Sequence, residues 1–440
     1  MLVLKFGGTS VGLPERMHKV ARLITQDEER KIVVLSAVSG TTNSLVELCD
    51  ALYAKKTDKA NELVYTLENK YNVFIGGLYA KAEFKTKAAR FLSDKFVELR
   101  KFTEKPFTEK EEKEILAQGE VISTYLFHQY LHEAGISSVL LDSLEFMKTD
   151  ESDEPDMEYI TDRLRATLAK YPNEQLFIAQ GYICLNRQGE VDNLKRGGSD
   201  YSASLIGAGA GVEEIQIWTD IDGMHNNDPR IVEKTYPVAE LSFDEAAELA
   251  YFGAKILHPS SILPAQKYNI PVRLKSTLDE EAPGTLISKK IMTDSVKAIA
   301  VKDGITAIKV KSSRMLLAHG FLRRLFEVFE RYETSIDMVT TSEVAVSLTI
   351  DYTKNLDKII DELENFGFVE VDKDLSIICI VGNMVSEQKG VVRKIFNALS
   401  DIPIRMVSYG GSRFNISMVI ERGYKAEALN NLNTGLFEKL

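Results

Sequence analysis

The sequence predicts an α/β protein with a mostly parallel sheet sandwiched by helices, followed by two smaller ferredoxin-like βαββαβ units. Three observations predict it. Short β-rich runs alternate with helical stretches over the first two thirds of the chain, a charged and turn-rich segment follows, and the remainder contains an internal repeat.

Leu2-Val-Leu-Lys-Phe6, Ile32-Val-Val-Leu35, Val139-Leu-Leu141, Leu176-Phe-Ile-Ala179 and Ile215-Gln-Ile-Trp218 read as buried strands. Helical patterns fill most gaps between them, including 111–133 and 242–257. That alternation implies parallel strands covered on both faces, with ligands beyond the strands' carboxyl ends. Asp279-Glu-Glu-Ala-Pro-Gly284 marks a boundary region before Ile291.

The repeat is internal to the chain. Gly320-Phe-Leu-Arg-Arg-Leu-Phe326 echoes Gly390-Val-Val-Arg-Lys-Ile-Phe396, and Ser335-Ile-Asp-Met-Val-Thr340 echoes Pro403-Ile-Arg-Met-Val-Ser408. Val344-Ala-Val-Ser-Leu-Thr-Ile350 matches Phe414-Asn-Ile-Ser-Met-Val-Ile420. Each copy reads strand, glycine-started helix, strand, strand. The expected division is 1–290, then 291–375 as linker and first repeat unit, then 376–440 as the second, with the two units free to interleave. Two copies behind a separate α/β domain favour a paired regulatory module over a second catalytic one.

With 440 residues the chain can build two or three domains with sizeable cores. A formal net charge of -11 argues against general nucleic-acid or anionic-membrane binding, yet leaves room for a locally basic anion site. Cys49, Cys184 and Cys379 lie far apart among apolar neighbours and read as core residues of a reducing compartment. The apolar start meets Lys5 and two glycines too soon for a signal peptide or membrane span, so a cytoplasmic chain is expected.

Chemistry concentrates in the loops after strands. Lys5-Phe-Gly-Gly-Thr-Ser10 combines a fixed positive charge with glycines that let backbone N–H groups approach phosphate; alone it reads equally as a tight turn. Ser36-Ala-Val-Ser-Gly-Thr-Thr-Asn43 places four hydroxyls before a helix expected from Leu45, as caps or as holders of a polar substrate. Arg196-Gly-Gly-Ser-Asp200 opens another helix, whose start favours an anion; Arg196 can clamp a carboxylate or phosphate, and Ser199 or Asp200 equally suits an N-cap. Gly207-Ala-Gly-Ala-Gly211 lacks the spacing of a dinucleotide loop. In 218–230, Asp220-x-Asp222-Gly is part of a calcium-loop pattern, but Ile231 stands where the closing glutamate belongs, and a nucleotide loop reads better. Ser242-Phe-Asp-Glu245 is a capping box for a helix running to Phe252-Gly-Ala-Lys255, and His258 before Pro259 reads as a structural helix-end residue. Glu120 follows Gly119, which permits close approach to a neighbour. No nucleophile triad or His/Cys metal cluster emerges, and no direct protein ligand for a metal is expected.

Taken together and in this order, these motifs resemble the aspartate kinases of the amino-acid kinase family, and the terminal repeat resembles their paired ACT domains. Ser335 to Glu343 looks most like the lysine-sensitive, single-function branch, and the homoserine dehydrogenase that bifunctional relatives add after the second repeat is not expected. The resemblance implies ATP- and Mg²⁺-dependent phosphorylation of the side-chain carboxylate of L-aspartate, the first step toward lysine, threonine and methionine. It implies Lys5 and Asp200 as catalytic residues. Arg196 would hold the substrate α-carboxylate, Glu120 the α-ammonium, and Thr42 would help place the substrate, with Ser36 and Tyr182 beside them. For ATP it implies Gly7, Gly8, Ser10, Ser199, Thr219, Asp220, Asp228, Arg230 and Lys255. For an allosteric amino acid, L-lysine first among candidates, it implies Met315, Phe321, Leu322, Ser335, Asp337, Thr341, Ser342 and Glu343. It also implies a homodimer or a dimer of dimers. Lys195 and His225 depart from the family pattern, the latter within the nucleotide loop. A kinase of glutamate, acetylglutamate or a nucleoside monophosphate is the enzymatic rival, and a non-catalytic amino-acid sensor the rival of another class.

Overall fold

The computed structural model describes residues 1–194, 197–253, 257–289, 295–312 and 319–437. The chain divides into two compact units, one of residues 1–224 and 256–290 and one of residues 225–255 and 291–440.

In the first unit the expected strands form, with shifted ends: β1 (Leu2–Phe6), β2 (Lys31–Leu35), β3 (Val139–Leu140), β4 (Leu176–Gln180) and β7 (Glu214–Thr219). A hairpin of β5 (Ile183–Leu185) and β6 (Val191–Asn193) stands apart, and β9 (Val272–Ser276) and β10 (Thr285–Ser288) complete the unit. The sheet runs β3-β4-β2-β1-β7-β9-β10, parallel throughout except for the β9–β10 pair. The turn-rich 279–284 segment is therefore the β9–β10 connection, inside this unit.

Side chains alternate across a strand, and that alternation builds two faces. Leu4 and Phe6, with Val33, Leu35, Ile178 and Trp218, join a core made with α1 (Pro14–Ile24), α2 (Thr41–Tyr53), α3 (Thr57–Leu78), α4 (Ala82–Lys101) and α5 (Glu109–Glu133). Helix α1 shows why: Met17, Val20, Ala21, Leu23 and Ile24 fall on one buried stripe. Val3, Lys5 and Ile217 have the opposite parity and face the other layer, where α7 (Gly198–Ala210) packs on β1 and on α6 (Met157–Ala169); α9 (Leu263–Tyr268) packs on α7. Lys5 thus leaves β1 on the α7 side.

The second unit contains β8 (Glu240–Ser242), α8 (Phe243–Tyr251) and the repeat. Helix α8 is capped as expected, Ser242 and Glu245 exchanging capping-box bonds, but it ends at Tyr251 rather than continuing to 257. The repeat folds as β11 (Val296–Lys311), α10 (Phe321–Arg331), β12 (Met338–Thr341), β13 (Ala345–Ile350) and α11 (Leu356–Leu363), then β14 (Phe368–Gly382), α12 (Val391–Ala398), β15 (Ile404–Ser408), β16 (Asn415–Glu421) and α13 (Lys425–Phe437). Its sheet runs β12-β13-β11-β14-β16-β15.

The two repeat units interleave through β11 and β14. Thr306–Lys311 pairs with β13, while Val296–Asp303 lies beside Ser376–Gly382, the half of β14 that pairs with β16. Two cores follow. Ile308 and Val310 pack with α10, α11 and β13, and Ile299 packs with α12, α13 and β16. The second repeat unit therefore takes its fourth strand, Val296–Asp303, from ahead of the first, whose own four strands lie within residues 306–372. The glycine-started helices are literal: Gly320 and Gly390 precede α10 and α12 at φ +76° and +85°, a region other L-residues rarely adopt.

Candidate active site

The carboxyl ends of β1, β2, β4 and β7 gather the loops singled out in the sequence. The Lys5 ammonium lies 2.6 Å from Asp200 Oδ1, both side chains largely buried. Asp200 stands in the first turn of α7, where unsatisfied backbone N–H groups and the positive end of the helix dipole favour an anion. Neither Ser199 nor Asp200 is the N-cap. Gly197 takes that position at φ +68°, which leaves both side chains free for other contacts. Gly197 also has no room for a side chain, since a Cβ there would meet Ser261 Oγ at 2.1 Å.

The Ser36–Asn43 loop behaves similarly. Gly40, at φ +79°, starts α2 at Thr41, four residues earlier than expected, with no side-chain cap. The Ser36 hydroxyl donates to Ser199 Oγ at 2.9 Å, so the loop after β2 is tied to the start of α7. Thr42 is exposed in the first turn of α2, whereas Thr41 is buried and its hydroxyl lies 2.9 Å from that of Tyr71 on α3.

Glu120 enters from α5. A Cβ at Gly119 would meet Ala37 Cβ at 2.8 Å, so the bare glycine lets the helix lie against the loop. There the Ala37 N–H donates to Glu120 Oε1 at 3.1 Å, while Oε2 is buried with no hydrogen-bond partner among the described residues. Burial pushes the carboxyl up to about 8, opposed by the Ala37 bond and by the Lys5 charge. A carboxylate short of partners is suited to an incoming cation. Tyr182, at φ +69°, donates its backbone N–H to Ser202 Oγ at 2.7 Å, and burial raises its phenol to about 12.

Gly7 and Gly8 follow β1 directly, and a Cβ at Gly8 would meet the Ala37 carbonyl at 2.9 Å. Buried Ser10 lies 3.4 Å from Thr277 Oγ1; Thr277 in turn donates N–H and O–H to the Thr219 carbonyl at 2.7 and 2.8 Å. Thr277 thereby links two of the expected nucleotide positions. Asp220 beside them is exposed. Asp228 and Arg230 belong to the second unit, where the guanidinium grips the carboxylate through two bonds of 2.9 and 2.8 Å and holds it below the usual carboxylate range. His225, in the same unit, lies 2.9 Å from Thr235 Oγ1 through Nδ1.

Of the expected effector residues, Phe321 and Leu322 open α10, Ser335, Asp337 and Thr341 lie on or beside β12, and Ser342 and Glu343 fall in the turn to β13. Arg196, Lys255 and Met315 lie outside the described residues, as does Lys195.

Supporting residues also emerge that single motifs do not reveal. A Cβ on Gly181 would fall 2.4 Å from Ser199 Cβ and Oγ, so α7 is seated directly against the end of β4. Gln180 donates to Thr124, whose hydroxyl donates to the Glu120 carbonyl, fixing the helix turn that carries the carboxylate. Glycine directly after a strand was a readable sign for Gly181. Tyr71, on an unremarkable helix face, offered none.

A model of the Amino acid kinase family matches residues 1–276, and an ACT domain model matches residues 378–436. The chain is 32% identical over 452 residues to lysine-sensitive aspartokinase 3 of Escherichia coli, spanning 100% of this chain and 99% of that protein. It is 34% identical over 472 residues to chloroplastic aspartokinase 1 of Arabidopsis thaliana, covering 99% and 80%. The solved structure of E. coli aspartokinase III in complex with aspartate and ADP matches with a TM-score of 0.82 at 32% identity, over 100% of both chains. An aspartate kinase structure from Clostridium acetobutylicum matches with a TM-score of 0.86 at 25% identity, over 99% of this chain and 100% of that one. This chain belongs to the amino acid kinase family and carries an ACT domain in its C-terminal part.

Proposed function

We propose that the protein transfers the γ-phosphoryl of ATP to the side-chain carboxylate of L-aspartate, giving 4-phospho-L-aspartate and ADP, with feedback inhibition by L-lysine through the ACT units. One observation carries the catalytic part: the Lys5–Asp200 pair at the start of α7, with Glu120 of α5 held against the Ser36–Asn43 loop and its Oε2 buried without a partner among the described residues. Similarity to aspartokinases over essentially the whole chain supports the choice of substrate.

The aspartate carboxylate is ionised near neutral pH, so the reaction needs no strong general base. The obstacle is bringing an anion against a polyanion, and positioning with charge neutralisation meets it. Glu120 receives the substrate ammonium, Arg196 the α-carboxylate, and Thr42, Ser36 and Tyr182 complete the pocket. Lys5, steered by Asp200, offsets charge on the transferring phosphoryl, while backbone N–H groups at Gly7 and Gly8 receive phosphate oxygens. Ser10, Ser199, Thr219 and Asp220 make up the remaining nucleotide contacts of the first unit. Mg²⁺ carried with the triphosphate would supply further charge neutralisation, and Asp200 would help to orient it rather than serve as its direct ligand. In this reading residues 1–290 form the catalytic domain and 291–375 and 376–440 the regulatory units, in a cytoplasmic homodimer or pair of dimers. Met315, Phe321, Leu322, Ser335, Asp337, Thr341, Ser342 and Glu343 receive the effector.

A coupled ADP-release assay tests the reading with L-aspartate, L-glutamate, N-acetylglutamate and a nucleoside monophosphate as acceptors. Turnover is expected with aspartate alone, and it should fall as L-lysine is titrated in. Turnover with another acceptor instead, or with none, would overturn the assignment. Unchanged aspartate kinetics across the lysine titration would remove lysine as the effector.

A further inference from the structure

A charged cluster in the second unit joins Asp337, one of the effector positions, to residues with no role in the account of phosphoryl transfer. Lys302, on β11, places its ammonium 2.7 Å from Asp337 Oδ1 and 2.8 Å from Asp351 Oδ2. The same ammonium stands over the Tyr251 ring, 4.9 Å from its centroid, and the Tyr251 hydroxyl donates to Asp337 Oδ1 at 3.2 Å. The two carboxylates differ sharply in surroundings: the Asp337 side chain is 1% exposed and that of Asp351 40%. Asp337 Oδ2 is buried without a hydrogen-bond partner among the described residues. Two carboxylates share one ammonium, and a buried carboxylate oxygen goes unmet, a costly arrangement that one more donor would relieve.

Tyr251 ends α8, and the next turn is seated on the same strand. A Cβ on Gly253 would lie 2.0 Å from the Val301 carbonyl oxygen, one residue before Lys302. Farther up α8, Glu248 accepts hydrogen bonds from Ser412 and Asn415. The end of α8 is therefore fixed by contacts that include Lys302 and Asp337 themselves.

We propose that Lys302 is the exchangeable counter-ion of the effector site: an incoming side-chain ammonium takes over Asp337, Lys302 withdraws onto Asp351, and Tyr251 passes the change to the end of α8. The inference rests on the lysine-feedback reading and adds the residue the effector must displace. Lys302 already holds Asp351, so withdrawal leaves it with a partner, and its flexible stem permits the move. Competition of this kind lowers the effector's apparent affinity by the fraction of time Asp337 is occupied. It also gives the ligand a differential contact between two arrangements, without which no shift in population occurs.

Calorimetric titration of the full-length protein with L-lysine and with L-norleucine, at pH 8, tests the exchange in wild type, Lys302→Met and Lys302→Arg. Lys302→Met removes the competing charge and should tighten L-lysine binding about tenfold. Lys302→Arg, whose fork grips a carboxylate more firmly, should weaken it. Norleucine, lacking the side-chain ammonium, should bind weakly and indifferently to both changes. A purely structural Lys302 would weaken lysine binding in both variants, and thermal melting of each variant identifies loss of fold. Lysine binding to wild type with no gain in Lys302→Met overturns the exchange alone. Absence of binding in both wild type and Lys302→Met overturns the exchange together with the lysine reading.

Discussion

Lys5 and Asp200 meet across two elements, β1 and the first turn of α7, with 2.6 Å between ammonium and carboxylate. The pair brings a fixed positive charge to a helix N-terminus, the place where phosphoryl charge can be met without reorganising the protein. In the account above, Lys5→Met lowers kcat by about 10²–10³-fold while leaving the aspartate KM within a few-fold. Asp200→Asn lowers kcat as well, and the double variant loses far less than the product of the two, because the residues act as one unit. Steady-state kinetics with circular dichroism as a control for folding measures both.

Glu120 gives a pH signature. Its carboxyl is raised from 4.5 to about 8 by burial, so in the ligand-free protein it is largely protonated at pH 7. An aspartate ammonium arriving at this group favours the carboxylate and releases a proton. Aspartate affinity should therefore rise about tenfold per pH unit between pH 6 and 7.5, with close to one proton released at pH 7. Calorimetry in buffers of different ionisation enthalpy reads that proton. In Glu120→Gln the pH dependence should vanish, with binding about 10–100-fold weaker from loss of a bond to a charged group. The stability sign follows as well. The native state holds the proton more tightly than the unfolded chain, so Glu120 costs stability progressively as pH rises from about 4.5 toward 8. The glutamine variant should be the more stable protein at pH 8 in urea denaturation.

Gly181 and Gly76 should respond oppositely to the same substitution. A Cβ at Gly181 would collide with Ser199, whereas one at Gly76, inside α3, meets nothing within 4 Å. Gly181→Ala should cost about 1–3 kcal/mol by overpacking, and should separate Ser199 from Ser36. Gly76→Ala should gain about 0.5–1 kcal/mol from helix propensity. Urea midpoints measure the two.

The interleaved repeat makes a local prediction. Ile299 and Ile308 lie on one strand yet serve different cores. Ile299→Ala should accelerate amide exchange in α12 and α13, and Ile308→Ala in α10 and α11, each by loss of about 2–5 kcal/mol of local packing. Exchange followed by mass spectrometry resolves the segments. Equal effects on all four helices would contradict the two-core description.

Much of this architecture was legible in the sequence, for physical reasons that differ by element. Buried strands such as β2 announce themselves as apolar runs, and glycines after strands mark loops where backbone approaches backbone, as at Gly8. The capping box at Ser242 and the repeat were readable because their signals are local. Helix starts were less so: α2 begins at Thr41 and α7 at Gly198 because Gly40 and Gly197 adopt left-handed conformations, not because the neighbouring hydroxyls cap them. The end of α8 at Tyr251 was hidden for a related reason, since Gly253 is at φ +116° and seated against β11. Tyr71, Gln180 and Thr277 support the site through contacts far apart in the chain, and no local pattern records such contacts. The grouping of 225–255 with the repeat is likewise a property of packing.

Trapping the product with hydroxylamine tests the central claim most directly. Incubated with ATP, Mg²⁺ and L-aspartate, the protein should form an acyl phosphate that hydroxylamine converts to the β-hydroxamate in proportion to ADP released. Lys5→Met should suppress both together. ADP release without hydroxamate, or hydroxamate formed from L-glutamate in place of L-aspartate, would contradict the account.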